Sequence, residues 1–159
     1  MLASIAVILA CLISAGNAVI RYFFDTSSNA WLEVQWYLFA VTVLLGAAFV
    51  FKENEHVRVD IFYARFSAQT KAWIDICGIV FFLLPSMYLL TMYSWPIFYE
   101  SYIHHEVSSN AGGLIRWPVK LLMPLGFTLL LLQAISELIK RIALLLGKTN
   151  SVEYVRPLQ

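Results

Sequence analysis

Four long apolar stretches without charged residues dominate the chain and predict membrane-spanning helices. They cover residues 2–20, 34–51, 76–99 and 121–136. A hydrocarbon core about 30 Å thick requires roughly 20 apolar residues in a helix, and the first three stretches meet that length. The fourth reaches only about 24 Å at a rise of about 1.5 Å per residue, so it needs Pro118, Val119 and a snorkelling Lys120 to complete a span.

This pattern predicts an all-α membrane protein, with four transmembrane helices and a short amphipathic cytoplasmic segment between helices 2 and 3. The predicted spans cover about residues 2–20, 31–51, 73–99 and 118–139. We assign residues 1–146 to a single four-helix membrane domain and residues 147–159 to a cytoplasmic C-terminal tail.

The amphipathic pattern lies in residues 57–66. One side of a helical wheel carries four apolar side chains: Val59, Phe62, Tyr63 and Phe66. Because Arg58 and Arg65 lie on another side, the pattern is typical of a helix at the membrane interface. Asp60 is placed to cap this helix, and Ser67 is placed to cap the third membrane helix.

Prolines mark where the predicted helices bend or begin. Pro85 and Pro96 each remove a backbone donor from the third helix, which predicts bends. Trp117 and Pro118 follow a glycine pair, and proline at the first position is typical of a helix start.

Composition agrees with a membrane protein and argues against a separate soluble domain. Only 13% of the residues are charged and the mean hydropathy is +0.74, whereas soluble domains have about 25% charged residues. The longest polar connections, around residues 52–72 and 100–118, are too short to bury a core of their own.

The distribution of positive charge predicts the orientation. Of eleven Lys and Arg residues, eight lie on one side of the predicted membrane: Lys52, Arg58, Arg65, Lys71, Lys140, Arg141, Lys148 and Arg156. The other side has three: Arg21, Arg116 and Lys120. Since short cytoplasmic loops carry the excess of positive residues, both termini and the 52–72 loop are expected in the cytoplasm.

The first stretch has a cleaved signal peptide as its main alternative. Gly16, Asn17 and Ala18 offer small residues at which a peptidase could cut. However, a basic region before the stretch is missing, and the uncharged run is longer than the apolar part of a signal peptide. A retained helix is therefore favoured.

Ionisable residues are nearly absent from the predicted membrane interior. Glu33, Asp75 and Glu137 all lie near helix ends. Ion pathways and proton relays normally place titratable groups at depth, because such groups are costly there without a use. The chain alone therefore lacks an ion path. No serine has a recognisable base beside it, so we expect a protein that is not an enzyme.

The densest group of possible metal ligands is His104, His105 and Glu106, with Glu100 just before it. Adjacent histidines point in different directions, whereas a structural zinc site needs four converging ligands, so no metal site is expected. Haem between helices would need histidines inside the spans, but His56 and the other two lie outside them. We expect no cofactor and no nucleic-acid partner.

On the predicted outer side, Arg21 and Glu33 flank the short turn at residues 25–29. One interpretation is an ion pair that fastens the first helix to the second. The other is that one of these side chains reaches a partner subunit.

Several segments, in this order and spacing, resemble a known family of transporter subunits. They read NAVIRYFF at 17–24, AWLEVQWY at 30–37, EHVRVDIFY at 55–63, EVS at 106–108, GLIRWP at 113–118 and PLG at 124–126. The chain resembles the small membrane subunit, of DctQ type, of tripartite ATP-independent periplasmic (TRAP) transporters. The resemblance covers roughly residues 17–140.

The resemblance implies a bacterial secondary transporter in which a periplasmic substrate-binding protein of DctP type captures an organic acid. That protein delivers it to a large, sodium-driven membrane subunit of DctM type. This chain would then be a multi-pass inner-membrane subunit that braces the stationary scaffold and is embedded in the lipid bilayer.

Eight residues are candidates for contact with these partners: Arg21, Glu33, Trp36, His56, Asp60, Glu106, Arg116 and Trp117. His56 and Asp60 belong to the family-like pattern, but their cytoplasmic position suggests capping and loop bracing. Two other functions compete with this interpretation. One is a membrane anchor for a redox or quinone-linked enzyme complex, and the other is a small stand-alone carrier.

Overall fold

A computed structural model describes residues 2–26, 28–53 and 66–147 of the chain. The described helices are α1 (Leu2–Phe24), α2 (Asn29–Lys52), α3 (Ala68–Gly78), α4 (Leu84–Ile103) and α5 (Trp117–Leu145). A π-helical turn, Ile79–Leu83, joins α3 to α4. The predicted all-α membrane fold is confirmed, because four helices are long and apolar enough to cross a membrane. His56, Asp60, most of the predicted amphipathic segment and residues 148–159 lie outside the described residues.

The third span is one continuous helical rod with a wider turn inside it. Leu84 donates its backbone N–H to the carbonyl of Ile79, five residues earlier. Pro85 follows directly and has no N–H to donate, so the helix cannot keep its regular hydrogen bonds at this point. The sequence predicted a distortion at Pro85. Pro96, by contrast, lies within α4, which continues to Ile103.

Both predicted helix starts are present. The Ser67 hydroxyl oxygen accepts a hydrogen bond from the backbone N–H of Thr70 at 3.2 Å, as expected for an N-cap. Helix α5 begins at Trp117 with Pro118 in its first turn. It therefore gains the residues that the short fourth apolar stretch needed, and it is 29 residues long.

Helix α5 lies at the centre of the described bundle. It packs against α2, against α3 and against α4, whereas α1 packs against α2. Gly126 permits a close approach between α5 and α2. A Cβ atom added there would lie 2.7 Å from the carbonyl oxygen of Leu44 on α2. Only glycine lets the two backbones come this near, as in other membrane helix pairs with small residues at the contact.

The two ends of the bundle differ. We call the end where α1 finishes, α2 begins and the 104–116 loop lies the loop end. The opposite end, where α2 and α5 finish and α3 begins, is the tail end. Between them the described helices present apolar side chains, and many large ones are exposed, as expected for a surface in contact with lipid.

Candidate functional site

The loop end carries a hydrogen-bonded polar cluster centred on the carboxylate of Glu33. Glu33 lies in the first turns of α2 and accepts hydrogen bonds from three groups of the 104–116 loop. These are the Asn110 side-chain amide at 2.8 Å, the Leu114 backbone N–H at 2.7 Å and the Ser108 hydroxyl. One carboxylate therefore binds three points of a loop that is about 80 residues away in the sequence.

Two further side chains of α2 hold the same loop. The Tyr37 hydroxyl donates to the carbonyl of Ile115 at 3.1 Å, and the Asn29 amide donates to the carbonyl of Ala111 at 3.4 Å. Asn29, Glu33 and Tyr37 are spaced four residues apart, so they share one face of the helix. This face fixes the position of the loop on α2.

The loop has a compact conformation of its own. Val107 and Ile115 form an antiparallel bridge, and Ser108 N–H donates to the carbonyl of Leu114 at 2.9 Å. Gly112 has a φ of +70°, which favours glycine. A Cβ atom at Gly113 would collide with the side chain of Ser108. Both glycines of the sequence pair are therefore required by the turn that presents Ser108 to Glu33.

A second carboxylate, Glu106, connects the loop to α5. Its side chain pairs with the ammonium group of Lys120, and the Arg116 guanidinium lies 3.8 Å away. The hydrogen bond from Lys120 is the main reason why the pKa of Glu106 lies below its ordinary value, and the charge of Arg116 lowers the pKa further. Glu106 is about one third exposed, so this ion pair is partly screened by solvent.

Of the two interpretations offered for Arg21 and Glu33, the ion pair is not seen among the described residues. Glu33 is bonded there to the 104–116 loop, and Arg21 is exposed near the end of α1. The other interpretation, contact of one of them with a partner subunit, stays a prediction. A contact between α2 and a distant loop leaves no local signal apart from the spacing of Asn29, Glu33 and Tyr37.

The other candidates lie around this cluster. Trp36 is 76% exposed on α2, and Trp117 packs edge-on against Tyr102 with ring centroids 5.6 Å apart. His104 Nε2 lies 3.1 Å from the Glu100 carboxylate, and both side chains are exposed. Within the described ranges, no group of three His, Cys, Asp or Glu side chains converges on a possible metal site.

The tail end carries a separate ionic cluster, which the sequence did not reveal. Arg141 of α5 is almost fully buried. Its Nε lies 3.4 Å from Asp75 of α3, and its Nη2 lies 3.7 Å from Glu137. Lys140 also contacts Glu137, at 2.7 Å. From the sequence, the fourth span was predicted to end near residue 139, so that Arg141 would lie beyond it, but α5 continues to Leu145.

Charged residues of the described chain are thus confined to the two ends of the bundle. The acidic and basic residues of the described spans lie within the first or last three turns of the helical rods, and the layer between them is uncharged. The arrangement can hold helices and a loop in fixed positions. It offers no charged pathway across the membrane.

Comparison with known protein families gives a match over most of the chain. The family model described as "Tripartite ATP-independent periplasmic transporters, DctQ component" matches residues 10–144, which is most of the chain. No curated protein matches the sequence at a significant level. The matched range contains both polar clusters and all the described helices except the first turns of α1 and the last residue of α5.

Proposed function

The chain belongs to the DctQ component family of TRAP transporters, and from this premise we propose its role in the complex. It acts as a bracing subunit for a large, sodium-coupled membrane subunit that takes up an organic acid. A periplasmic substrate-binding protein supplies that acid. The observation that carries the proposal is the family match over residues 10–144.

The uncharged interior supports a bracing role rather than a transport pathway within this chain. A sodium or carboxylate pathway would need polar groups at depth, where they are costly without a function. The ionic groups here lie instead at the helix ends, where they join α2 to the loop and α3 to α5. Such contacts fix helix positions, which is what a stationary frame requires.

The charge distribution supports an orientation in the bacterial inner membrane. The tail end carries Lys52, Lys71, Lys140 and Arg141. The loop end carries Arg21, Arg116 and Lys120. By the positive-inside rule, the tail end faces the cytoplasm together with both termini, and the loop end faces the periplasm. Residues 1–146 then form one membrane domain, followed by a cytoplasmic tail.

In this orientation the loop-end cluster is the part of the chain nearest to the periplasmic binding protein. Glu33 binds the side of the loop that faces α2. Three other charged side chains remain partly or fully exposed: Arg21, Glu106 and Arg116. These groups are the proposed polar contacts with the binding protein or the large subunit. Trp36 and Trp117 are the proposed contacts at membrane depth, and His56 with Asp60 supports assembly from the cytoplasmic side.

Purification of the tagged chain from its native membrane tests the proposal. We expect one large polytopic partner at a one-to-one ratio, identified by mass spectrometry, and no haem absorbance. Proteoliposomes with this chain, the large subunit and the binding protein should take up substrate only with a sodium gradient. A haem band, a soluble dehydrogenase partner, or uptake by this chain alone would refute the proposal.

A further inference from the structure

The third span exposes a stripe of mostly aromatic side chains along one side of α4. We call it the aromatic stripe, and it consists of five residues that are each at least half exposed: Tyr88, Met92, Trp95, Tyr99 and Tyr102. They follow one another at spacings of four and three residues, so they share one face of the helix. The third span packs against the rest of the described bundle chiefly through α5. The aromatic stripe is therefore a lateral surface of the bundle.

Tyr88 lies near the middle of the membrane. Asp75 marks the tail end, because it lies 3.4 Å from Arg141. Tyr102 marks the loop end, because its ring packs against Trp117 at the start of α5. Tyr88 comes 13 residues after Asp75 and 14 residues before Tyr102, which is about 20 Å along the helix from either level. In a hydrocarbon core about 30 Å thick, a tyrosine side chain at this depth is too short to bring its hydroxyl to the headgroups.

The Tyr88 hydroxyl makes no hydrogen bond to any residue in the described part of the chain. Threonines at similar depth satisfy their hydroxyls within their own helices, by donating to the carbonyl four residues earlier: Thr42, Thr91 and Thr128. A phenol hydroxyl lies too far from its own backbone to do the same. Because a hydroxyl without a partner is costly in hydrocarbon, it needs an acceptor from another molecule. The Tyr88 side chain is 55% exposed, so such an acceptor can reach it.

We propose that the aromatic stripe receives a transmembrane helix of the large membrane subunit, which supplies a hydrogen-bond acceptor to the Tyr88 hydroxyl. The inference rests on the proposed function and adds the face on which the two subunits meet. A lipid acyl chain can cover the apolar part of the stripe but has no acceptor for a hydroxyl. A polypeptide helix can offer a side-chain or backbone oxygen. At its loop end the stripe also reaches Trp117, which is already a proposed contact at membrane depth.

Photo-crosslinking in native membranes tests the face directly. Benzoylphenylalanine replaces Met92 in the stripe or, as a matched control, Leu12, which is also exposed and lies near the middle of α1. We expect an adduct with the large subunit at Met92 and little at Leu12. Adducts only with lipid, or only with a second copy of this chain, at Met92 would overturn the inference. An equal or greater yield of the large-subunit adduct at Leu12 would also overturn it.

Removal of one oxygen atom tests the hydrogen bond. Tyr88→Phe keeps the ring and loses only the hydroxyl, so the apparent Kd for the purified large subunit in detergent micelles should rise about threefold or more, as loss of one interhelical hydrogen bond predicts. Tyr93→Phe is the control, because it removes the same group from an exposed tyrosine on another side of α4. We expect the control to leave the apparent Kd unchanged.

The failure of the inference and the failure of the proposed function give different results. Far-ultraviolet circular dichroism of each variant separates misfolding from lost contact. If the unmodified chain does not bind the large subunit, the proposed function itself fails. If the unmodified chain binds it and Tyr88→Phe binds equally well, or if Tyr93→Phe weakens binding as much as Tyr88→Phe does, only the assignment of the aromatic stripe fails.

Discussion

Substitution of Gly126 tests whether the α2–α5 contact determines the stability of the bundle. In Gly126→Ala, the new methyl group would lie 2.7 Å from the Leu44 carbonyl oxygen and 2.8 Å from the Leu44 Cβ. The first distance is about 0.7 Å shorter than ordinary contact, which begins near 3.4 Å. The atoms in the way belong partly to backbone, so relief requires the two helices to separate.

The expected magnitude follows from two opposing effects. Overpacking of a close contact costs about 1–3 kcal/mol. Replacement of glycine by alanine inside a helix gains about 1 kcal/mol. Gly16→Ala, inside α1, has the same helix gain, but its methyl group meets no atom within 4 Å. We therefore expect Gly126→Ala to be less stable than Gly16→Ala by about 1–3 kcal/mol, which is the overpacking cost alone.

Denaturation of the purified subunit in detergent micelles, followed by far-ultraviolet circular dichroism, measures this difference. Both variants should keep the helical content of the unmodified protein before denaturation. Equal stability of the two variants would refute the reasoning, because it would mean that α2 and α5 are not in tight contact at Gly126.

Three further predictions concern the polar groups. Glu33→Ala should speed amide hydrogen exchange at residues 108–114, because three donors of that segment lose their acceptor. Glu100→Ala, whose side chain contacts His104 outside that segment, should leave this exchange unchanged. The folded-state pKa of Glu106 is lowered from about 4.5, so its stabilising contribution is present above about pH 4.5 and is lost as the pH falls through the lower folded-state pKa. The loss of stability on acidification should therefore be smaller in Lys120→Gln than in the unmodified protein. An equal loss in the two proteins would contradict this reasoning. Asp60→Ala should reduce recovery of the assembled complex more than it changes the sodium dependence of the remaining uptake, and normal recovery with lost sodium dependence would count against a bracing role.

The helices were predictable from sequence because their signal is local. An uncharged apolar run long enough to cross the bilayer has few alternatives to a helix, since every backbone group must find its partner within the segment. The ends of the helices were less predictable. Helix α5 extends past the last apolar stretch and carries Glu137 and Arg141 with it. The buried Arg141 lies beside Asp75, which belongs to another helix.

The loop-end cluster was only half predictable, for a related reason. Glu33 stood out as a carboxylate near a helix end, and Glu106 as a candidate for contact with a partner. Their true partners, Ser108, Asn110 and Lys120, carry no distinctive motif. The glycine pair at 112–113 did mark a turn, but it could not show that the turn presents Ser108 to α2. Such contacts depend on how helices far apart in sequence are packed, which the pattern of one segment does not contain.

The two polar clusters also define which helices of the described bundle are joined by ionic contacts. At the loop end, α2, the 104–116 loop and α5 are joined through Glu33 and Glu106. At the tail end, α3 is joined to α5 through Arg141. Helix α1 contributes no charged group to either cluster and packs against α2. The ionic contacts therefore fix α2, α3 and α5 relative to one another and leave the α1–α2 side without such contacts. A frame built in this way resists deformation at both of its ends, while α1 is held by its packing against α2.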